Sequence, residues 1–255
     1  MLLKAPANAI LSALKMALAI VGTKENRLNT NTIHWSITPT TLTISAVNDA
    51  PSALHTVQIP AKQQPGSEET LFFCQTVKDA KAMTARAFGG GQMEIGIEQT
   101  VLASNSTDAK YTVEAVWAGH ARTTREIKFT GVACRFPNCG AMMPTDVVVA
   151  SISGSKELML EFLTPLPTRQ FKVTDSGVEQ SLPARSSDLP SDFAHVVVVG
   201  EITETFNTEL PLCFLQNCVY GTKCVMEFTG QGNPIKLHCE LYGAMASCLF
   251  MPHST

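Results

Sequence analysis

The chain closes on four runs: Leu210-Pro-Leu-Cys-Phe-Leu-Gln-Asn-Cys-Val219, Lys223-Cys-Val-Met-Glu-Phe228, Asn233-Pro-Ile-Lys-Leu-His-Cys-Glu-Leu241 and Ser247-Cys-Leu-Phe-Met-Pro252. The first has the pattern of a helix over 209–219. Thr208 stands where a cap is needed, and Pro211 falls in the first turn, where proline is tolerated. Gly221 follows as a stop. The other three runs have strand length and strand character, and Asn233–Pro234 and Tyr242–Gly243 stand near the turns. A helix followed by an antiparallel meander therefore ends the chain.

The opening of the chain has the same kind of alternation. Leu2 to Ala5 reads as a short strand, and 6–21 as an amphipathic helix with Pro6 in its first turn. Ile10, Leu14, Leu18 and Val21 recur at helical spacing, and Lys15 lies off that face. A hairpin is expected over 32–47, turning at Thr38–Pro39–Thr40, with another strand from Leu54 to Ile59. Leu71 to Cys74 is a strand and 76–88 a helix, with Thr76 as N-cap and Gly89 to Gly91 as the stop. Strands at 93–98, 111–117 and 125–129 follow, then an irregular joint over 130–143.

Beyond the joint, 146–153 is open between a short helix and a strand, because Val147, Val148 and Val149 favour the latter. Leu158 to Leu163, Gln170 to Val173 and Ala194 to Val199 read as strands, and 181–191 as a loop. The two halves thus carry about two helices and many strands in one order. That is a diverged internal duplication and an α+β class. The expected domains are 1–130 and 144–255, joined by a connector at 131–143.

The bulk composition agrees with two packed domains. The chain has 255 residues, 45% of them hydrophobic and only 16% charged, enough for two cores of roughly 125 residues each. Its formal net charge is −3, so any contact with nucleic acid depends on local positive charge rather than on a basic coat. No uninterrupted apolar run is long enough to cross a bilayer as a helix, and no membrane role is expected. The stretch Ala9 to Val21 resembles a signal peptide superficially, but Lys15 interrupts it and its periodicity is that of a helix.

Eight cysteines, several in apolar runs, read as small buried hydrophobes of a reduced intracellular protein. The pairs Cys134/Cys139 and Cys213/Cys218 have gaps that zinc sites allow, but they also fit core positions, and no metal or cofactor is expected. The triple glycine lacks the Gly-Lys-Ser/Thr of a phosphate loop. The six histidines (34, 55, 120, 195, 238 and 253) show no metal spacing. No local signature supports a nucleophile, and no enzyme is expected.

The closing runs quoted above resemble the C-terminal end of the DNA sliding-clamp superfamily: proliferating cell nuclear antigen, the bacterial polymerase beta clamp and the subunits of the DNA-damage checkpoint clamp. The opening strand, helix and hairpin, with Ala46-Val-Asn-Asp49 before the next strand, resemble the same family. The joint Lys128-Phe-Thr-Gly-Val-Ala-Cys-Arg-Phe-Pro-Asn-Cys139 is similar to the linker of one checkpoint-clamp subunit.

The resemblance implies two domains of the DNA-clamp fold, each with antiparallel sheets and two helices on one face. Three such chains would close a ring around duplex DNA, joined by strand pairing that covers exposed edges; by position the joining strands would be 111–117 and 171–178. The DNA-facing candidates it implies are Lys15, Lys78, Lys81, Arg86 and Lys223, attracting phosphates without reading bases. Its partner-peptide pocket would map to Val47, Cys134, Phe136, Pro234, Leu249, Met251 and Pro252.

The implied partners are double-stranded DNA, other clamp subunits in a hetero- or homotrimer, a clamp loader, and clamp-binding motifs of polymerases, nucleases or ligases. The implied location is nuclear in a eukaryote and cytoplasmic otherwise. The thinner basic content of the second half favours a checkpoint-like heterotrimer over a homotrimeric processivity factor. An intracellular duplicated-domain binding module without DNA is the reading of a different class.

Overall fold

A computed structural model describes residues 1–21, 30–49, 52–66, 70–86, 92–100, 110–118, 124–133, 148–164, 168–174, 177–181, 186–188 and 202–252. The chain divides into two compact units. Unit 1 comprises Met1–Ala50, Thr56–Asn138 and Tyr242–Ala246; unit 2 comprises Pro51–His55, Cys139–Leu241 and Ser247–Thr255.

Unit 1 begins with strand β1 (Leu2–Pro6) and helix α1 (Ala7–Ile20). Pro6 sits at φ −61°, ψ 123°, an extended geometry natural to proline that starts the helix without a side-chain cap. Nine of the helix's fourteen residues are buried, among them Ile10, Leu14 and Met16. Small Ala9, Ala13 and Ala17 share the buried set, which permits close approach to the sheet, and Lys15 is exposed. Removing each large apolar side chain from water contributes about 1.5–3 kcal/mol.

The sheet beneath α1 is built from β2 (Thr32–Ile37), β3 (Thr41–Val47), β4 (Ala53–Pro60), β5 (Lys62–Gln63) and β6 (Leu71–Thr76). Helix α2 (Val77–Arg86) follows, then β7 (Gln92–Thr100), β8 (Lys110–Ala118) and β9 (Thr124–Ala133). Their order is β4-β3-β2-β6-β9-β8-β7-β1-β5. Strand β9 carries regular pairing through Ala133, so 130–133 is sheet and not part of an irregular joint.

An aromatic cluster organises the middle of this sheet. Trp35 and Phe73 are register partners and stack at 5.6 Å, with Phe129 and Tyr111 tilted against Phe73 at 6.4 and 5.9 Å. The indole N–H donates to buried Gln75 Oε1 at 3.0 Å, which satisfies both polar groups inside the core. Gly131 lies directly over Phe73: a Cβ there would stand 2.6 Å from its Cδ2.

Unit 2 repeats the order with β10 (Ala150–Ser155), α3 (Lys156–Leu163), β11 (Thr168–Thr174), β12 (Gly177–Ser181), β13 (Ser186–Asp188) and β14 (Ile202–Asn207). It continues with α4 (Glu209–Gln216), β15 (Lys223–Phe228) and β16 (Ile235–Leu241); the last strand, β17 (Ala244–Phe250), belongs to unit 1 through Ala246 and to unit 2 from Ser247. One sheet contains β10-β15-β16 and the other runs β13-β12-β11-β14.

Several second-half expectations change. The run expected to be a strand over 158–163 lies inside α3. Met159, Phe162 and Leu163 are buried at helical spacing, and Ser155 Oγ accepts from Leu158 N at 3.3 Å as N-cap. A short, densely apolar run satisfies either period, and here the cap decides. The open stretch before it is strand at 150–155. Within the expected loop, Ser186–Asp188 pairs with β12. Thr208 makes no capping bond; Asn207 Oδ1, one residue earlier, accepts from Glu209 N at 2.8 Å. The expected strand at 194–199 and the stop at Gly89 to Gly91 lie outside the described residues.

Buried Glu204 on β14 accepts from the backbone N–H of Gly232, in the turn after β15. Burial raises its carboxyl above the usual 4.5, and the Gly232 N–H opposes this in part. The folded chain therefore holds this proton to higher pH than the unfolded chain does. The stability from that difference is full below 4.5 and is lost as pH rises through the folded value.

Two outcomes follow from these packings. Gly131→Ala forces Phe73 or the β9 backbone to move and costs about 2 kcal/mol, read as a lower urea midpoint with unchanged slope. Glu204→Gln keeps an acceptor for Gly232 and removes the titration, so the fall in melting temperature from acid toward neutral pH becomes shallower than in the parent. An unchanged pH profile would count against the buried-carboxyl assignment.

Candidate functional site

The cationic side chains predicted from sequence divide unevenly between the units. Lys15 lies on α1 and Lys78, Lys81 and Arg86 on α2, and in unit 1 these two helices pack side by side. Lys15, Lys78 and Lys81 are exposed. Thr76 holds the start of α2: its Oγ accepts from Asp79 N at 3.1 Å and donates to the Asp79 carboxylate at 2.7 Å. Lys223 is exposed but stands at the first position of β15, opposite Ser155, rather than on a helix.

In unit 2, α3 and α4 also pack together. Their sequences reverse the charge. Helices α1 and α2 carry four basic residues and one acid, Asp79, whereas α3 and α4 carry Lys156 against Glu157, Glu161 and Glu209. Lys156, at the first position of α3, is the one cation of this helix pair. Its Nζ is engaged, donating to Cys218 O at 2.6 Å. Glu157 turns toward the chain after α4 and accepts from Gly221 N at 3.2 and 3.3 Å. Desolvation pulls its carboxyl upward, but the N–H groups of Glu157 itself and of Gly221, with Ser155 and Lys156, outweigh this and hold it low.

Among the described residues the strand expected to join subunits at 111–117 is not an edge, and of 171–178 only 171–173 are paired on both sides. Strand β8 is hydrogen-bonded by β7 on one side and β9 on the other, so its backbone groups are already used. Residues 171–173 of β11 are likewise flanked by β12 and β14. Among the described residues of unit 1, besides the sheet-end strand β5, an open side lies on β9: Val132 and Ala133 pair with β6, and Thr124–Gly131 pair only with β8. In the second sheet of unit 2 the outer strands are β13 and β14. On the open strand Lys128 bonds Glu126 at 3.0 Å and approaches Glu114 at 3.6 Å. The Glu126 hydrogen bond is the leading reason that its ammonium is held above the usual value. Exposed charge of this kind discourages unspecific strand addition.

The residues predicted to receive a peptide fare differently. Val47 is fully buried in unit 1 and Pro234 is buried in unit 2, where its carbonyl accepts from Thr229 Oγ at 3.0 Å. Both are core residues with little surface to offer. Leu249 is 9% exposed, and Met251 and Pro252 are half-buried, so the end of the chain presents apolar surface in part. Cys134 and Phe136 lie outside the described residues.

The described cysteines separate into three kinds. Cys74 is disulfide-bonded, against the expectation of reduced thiols throughout, and its Sγ lies 3.4 Å from His34 Nδ1. Cys213 and Cys248 are ordinary packed thiols, both pushed up chiefly by burial. Cys218, which the spacing paired with Cys213, instead meets Cys224 and Cys239: the three Sγ atoms lie within 4.8 Å of one another, and all three residues are buried. Hydrogen bonding from Cys218 and then Cys239 pulls the Cys224 thiol down to about 4, while the same contacts and burial push Cys218 up. Cys224 is fully buried among sulfurs rather than paired with a histidine. Of the histidines, His55 sits edge-on to Phe214 at 5.5 Å and His238 lies 3.2 Å from Glu227.

No family model and no curated protein matches the sequence. Solved structures match it closely in shape. The DNA polymerase sliding clamp from Bacillus subtilis superposes with a TM-score of 0.73 at 11% identity, over 100% of this chain and 64% of that one. The chain has the fold of the DNA sliding clamps. PCNA from Thermococcus kodakaraensis gives 0.72 at 9% identity over 98% of this chain and 100% of that one. A. fulgidus PCNA, in a structure with the C-terminal region of FEN-1 bound, gives 0.69 at 14% identity over 99% of both chains. The chain thus spans less than two thirds of the bacterial clamp and the full length of the PCNA chains. At such identities the clamp fold is carried by element order and burial pattern rather than by shared residues.

Proposed function

We propose that this chain is one subunit of a DNA clamp, closing with different subunits into a ring around duplex DNA and tethering replication, repair or checkpoint proteins there. The observation that supports it most is the clamp fold over the whole chain together with opposite charge on its two helix pairs. In the family that the sequence resembles, the helices line the hole. The basic pair α1 and α2 suits phosphates; the acidic pair α3 and α4 repels them. Three identical copies would alternate attractive and repulsive arcs. A ring of different subunits needs only one such acidic arc, with positive charge supplied by the others, as in a checkpoint-type heterotrimer.

In this reading the chain is non-enzymatic and works by topology. Lys15, Lys78, Lys81, Arg86 and Lys223 attract the phosphate backbone without sequence preference. Open strand β9 offers its unpaired backbone groups to a neighbouring subunit, in place of β8. Met251, Pro252 and Leu249 form the accessible part of a surface for clamp-binding motifs of polymerases, nucleases or ligases. A loader opens the ring, and the protein works in the nucleus if its cell has one and in the cytoplasm otherwise.

Light scattering on a sizing column tests the assembly. The purified chain is expected at the mass of one copy, 27.5 kDa, and to shift to a three-chain mass only with the subunits recovered alongside it from native extract. A homotrimer by itself would overturn the heteromeric assignment and favour a self-sufficient processivity factor. In the assembled ring, Lys78→Glu with Lys81→Glu should weaken retention on duplex DNA and flatten the salt dependence of log K by about 2. Unchanged retention and slope would favour a duplicated-domain binding module without DNA.

A further inference from the structure

Cys218, Cys224 and Cys239 come from three separate places in unit 2. Cys218 lies two residues beyond α4, Cys224 is second in β15, and Cys239 is in β16 directly opposite Cys224 in the register. All three are free thiols, exposed by 5%, 0% and 3%. Cys218 Sγ and Cys239 Sγ are 3.5 Å apart. A lone buried cysteine is ordinary core filling, as at Cys248. Convergence of three sulfurs from three elements is a different arrangement. Metal–sulfur bonds of about 2.3 Å at tetrahedral angles separate sulfurs by about 3.8 Å. The observed spacings, from 3.5 Å to within 4.8 Å, close on that value with shifts of under about 1 Å.

The surroundings hold this geometry. Lys156 Nζ donates to Cys218 O at 2.6 Å, and Lys156 N donates to Thr222 O at 2.8 Å. Glu157 grips Gly221 N, so the start of α3 fixes the turn that carries Cys218 to Cys224. Gly221, at φ +75°, and Tyr220, 85% exposed, put the bend of that turn at the surface.

We propose that Cys218, Cys224 and Cys239 form a trithiolate site for one thiophilic d10 cation, copper(I) or zinc(II). Soft thiolates select both ions. No fourth His, Cys, Asp or Glu ligand joins the three among the described residues. Copper(I) is satisfied by three sulfurs in a plane; zinc(II) takes a water or added thiol as its fourth ligand. Binding is not a redox step: the S–H bonds break, up to three protons pass to solvent, and the cation keeps its charge. The bound ion would cross-link α4's end to β15 and β16 and stabilise unit 2.

The full chain, reduced and stripped with chelator, is titrated separately with zinc(II) and with copper(I) against a chromophoric competitor. One equivalent of at least one ion per chain is expected, with a three-sulfur coordination shell in X-ray absorption of the loaded parent protein. Cys224→Ala and Cys239→Ala, checked for folding by circular dichroism, should weaken binding at least about a hundredfold, since losing only the partners of ligands costs about 10–100-fold. Cys213→Ala and the double variant Cys134→Ser with Cys139→Ser should bind as the parent does. No uptake of either ion, a coordination shell of nitrogen and oxygen, or undiminished binding by Cys224→Ala would each overturn the site. None of these readouts depends on DNA binding or ring assembly.

Discussion

The structure of unit 1 depends on burying one face of α1. A fourteen-residue helix with a single charged side chain and nine buried residues has no stable existence alone in water. It is stable because the antiparallel sheet supplies an apolar surface, and the sheet in turn needs that cover over Ile33, Ile44 and their neighbours. Helix α2 then fills the remaining width beside α1, and its Met83 is within reach of Gln75, which also holds the indole of Trp35. The same device recurs in unit 2, where Met159, Phe162, Phe214 and Leu215 bury the inner faces of α3 and α4.

Such packing constrains only the inner face of each helix. The outer face carries whatever charge function selects, because exposed substitutions there cost little stability. The two units use that freedom in opposite directions, basic on α1 and α2 and acidic on α3 and α4. A fold built from a repeated element order can in this way retain its architecture while its two halves acquire different electrostatic roles. The acidic pair also has its one lysine committed to a backbone carbonyl, which lowers the charge it can offer to a polyanion.

Strand pairing sets the other functional positions. Backbone groups already bonded on both sides cannot recruit a neighbour, so among the described residues β9, and not β8, has an open side. Register acts in the same way on the cysteines. Cys224 and Cys239 are opposed on one face of β15 and β16, and a one-residue slip would send one of them to the other face. The convergence of the three sulfurs is therefore a property of sheet register combined with where α4 stops.

Much of this was legible in the residues themselves. The helical spacing of Ile10 and Leu14, the alternation over 32–47 and the turn formers at Asn233–Pro234 and Tyr242–Gly243 encode local conformation, and local conformation follows from steric and burial rules that act over a few residues. The α+β class and the repeated order follow from those elements. Where a short run suits two periods, as at 158–163, the sequence left the choice open, and the Ser155 cap with buried Met159, Phe162 and Leu163 settled it. Which cysteine meets which, which strand is left open and whether Val47 has any surface depend on contacts between residues far apart in the chain. Spacing along the chain carries no information about those contacts. Cys213 and Cys218 are five positions apart yet lie in different environments, while Cys218 and Cys239 touch across twenty-one, because the stop of α4 and the register of β15 and β16 bring them together.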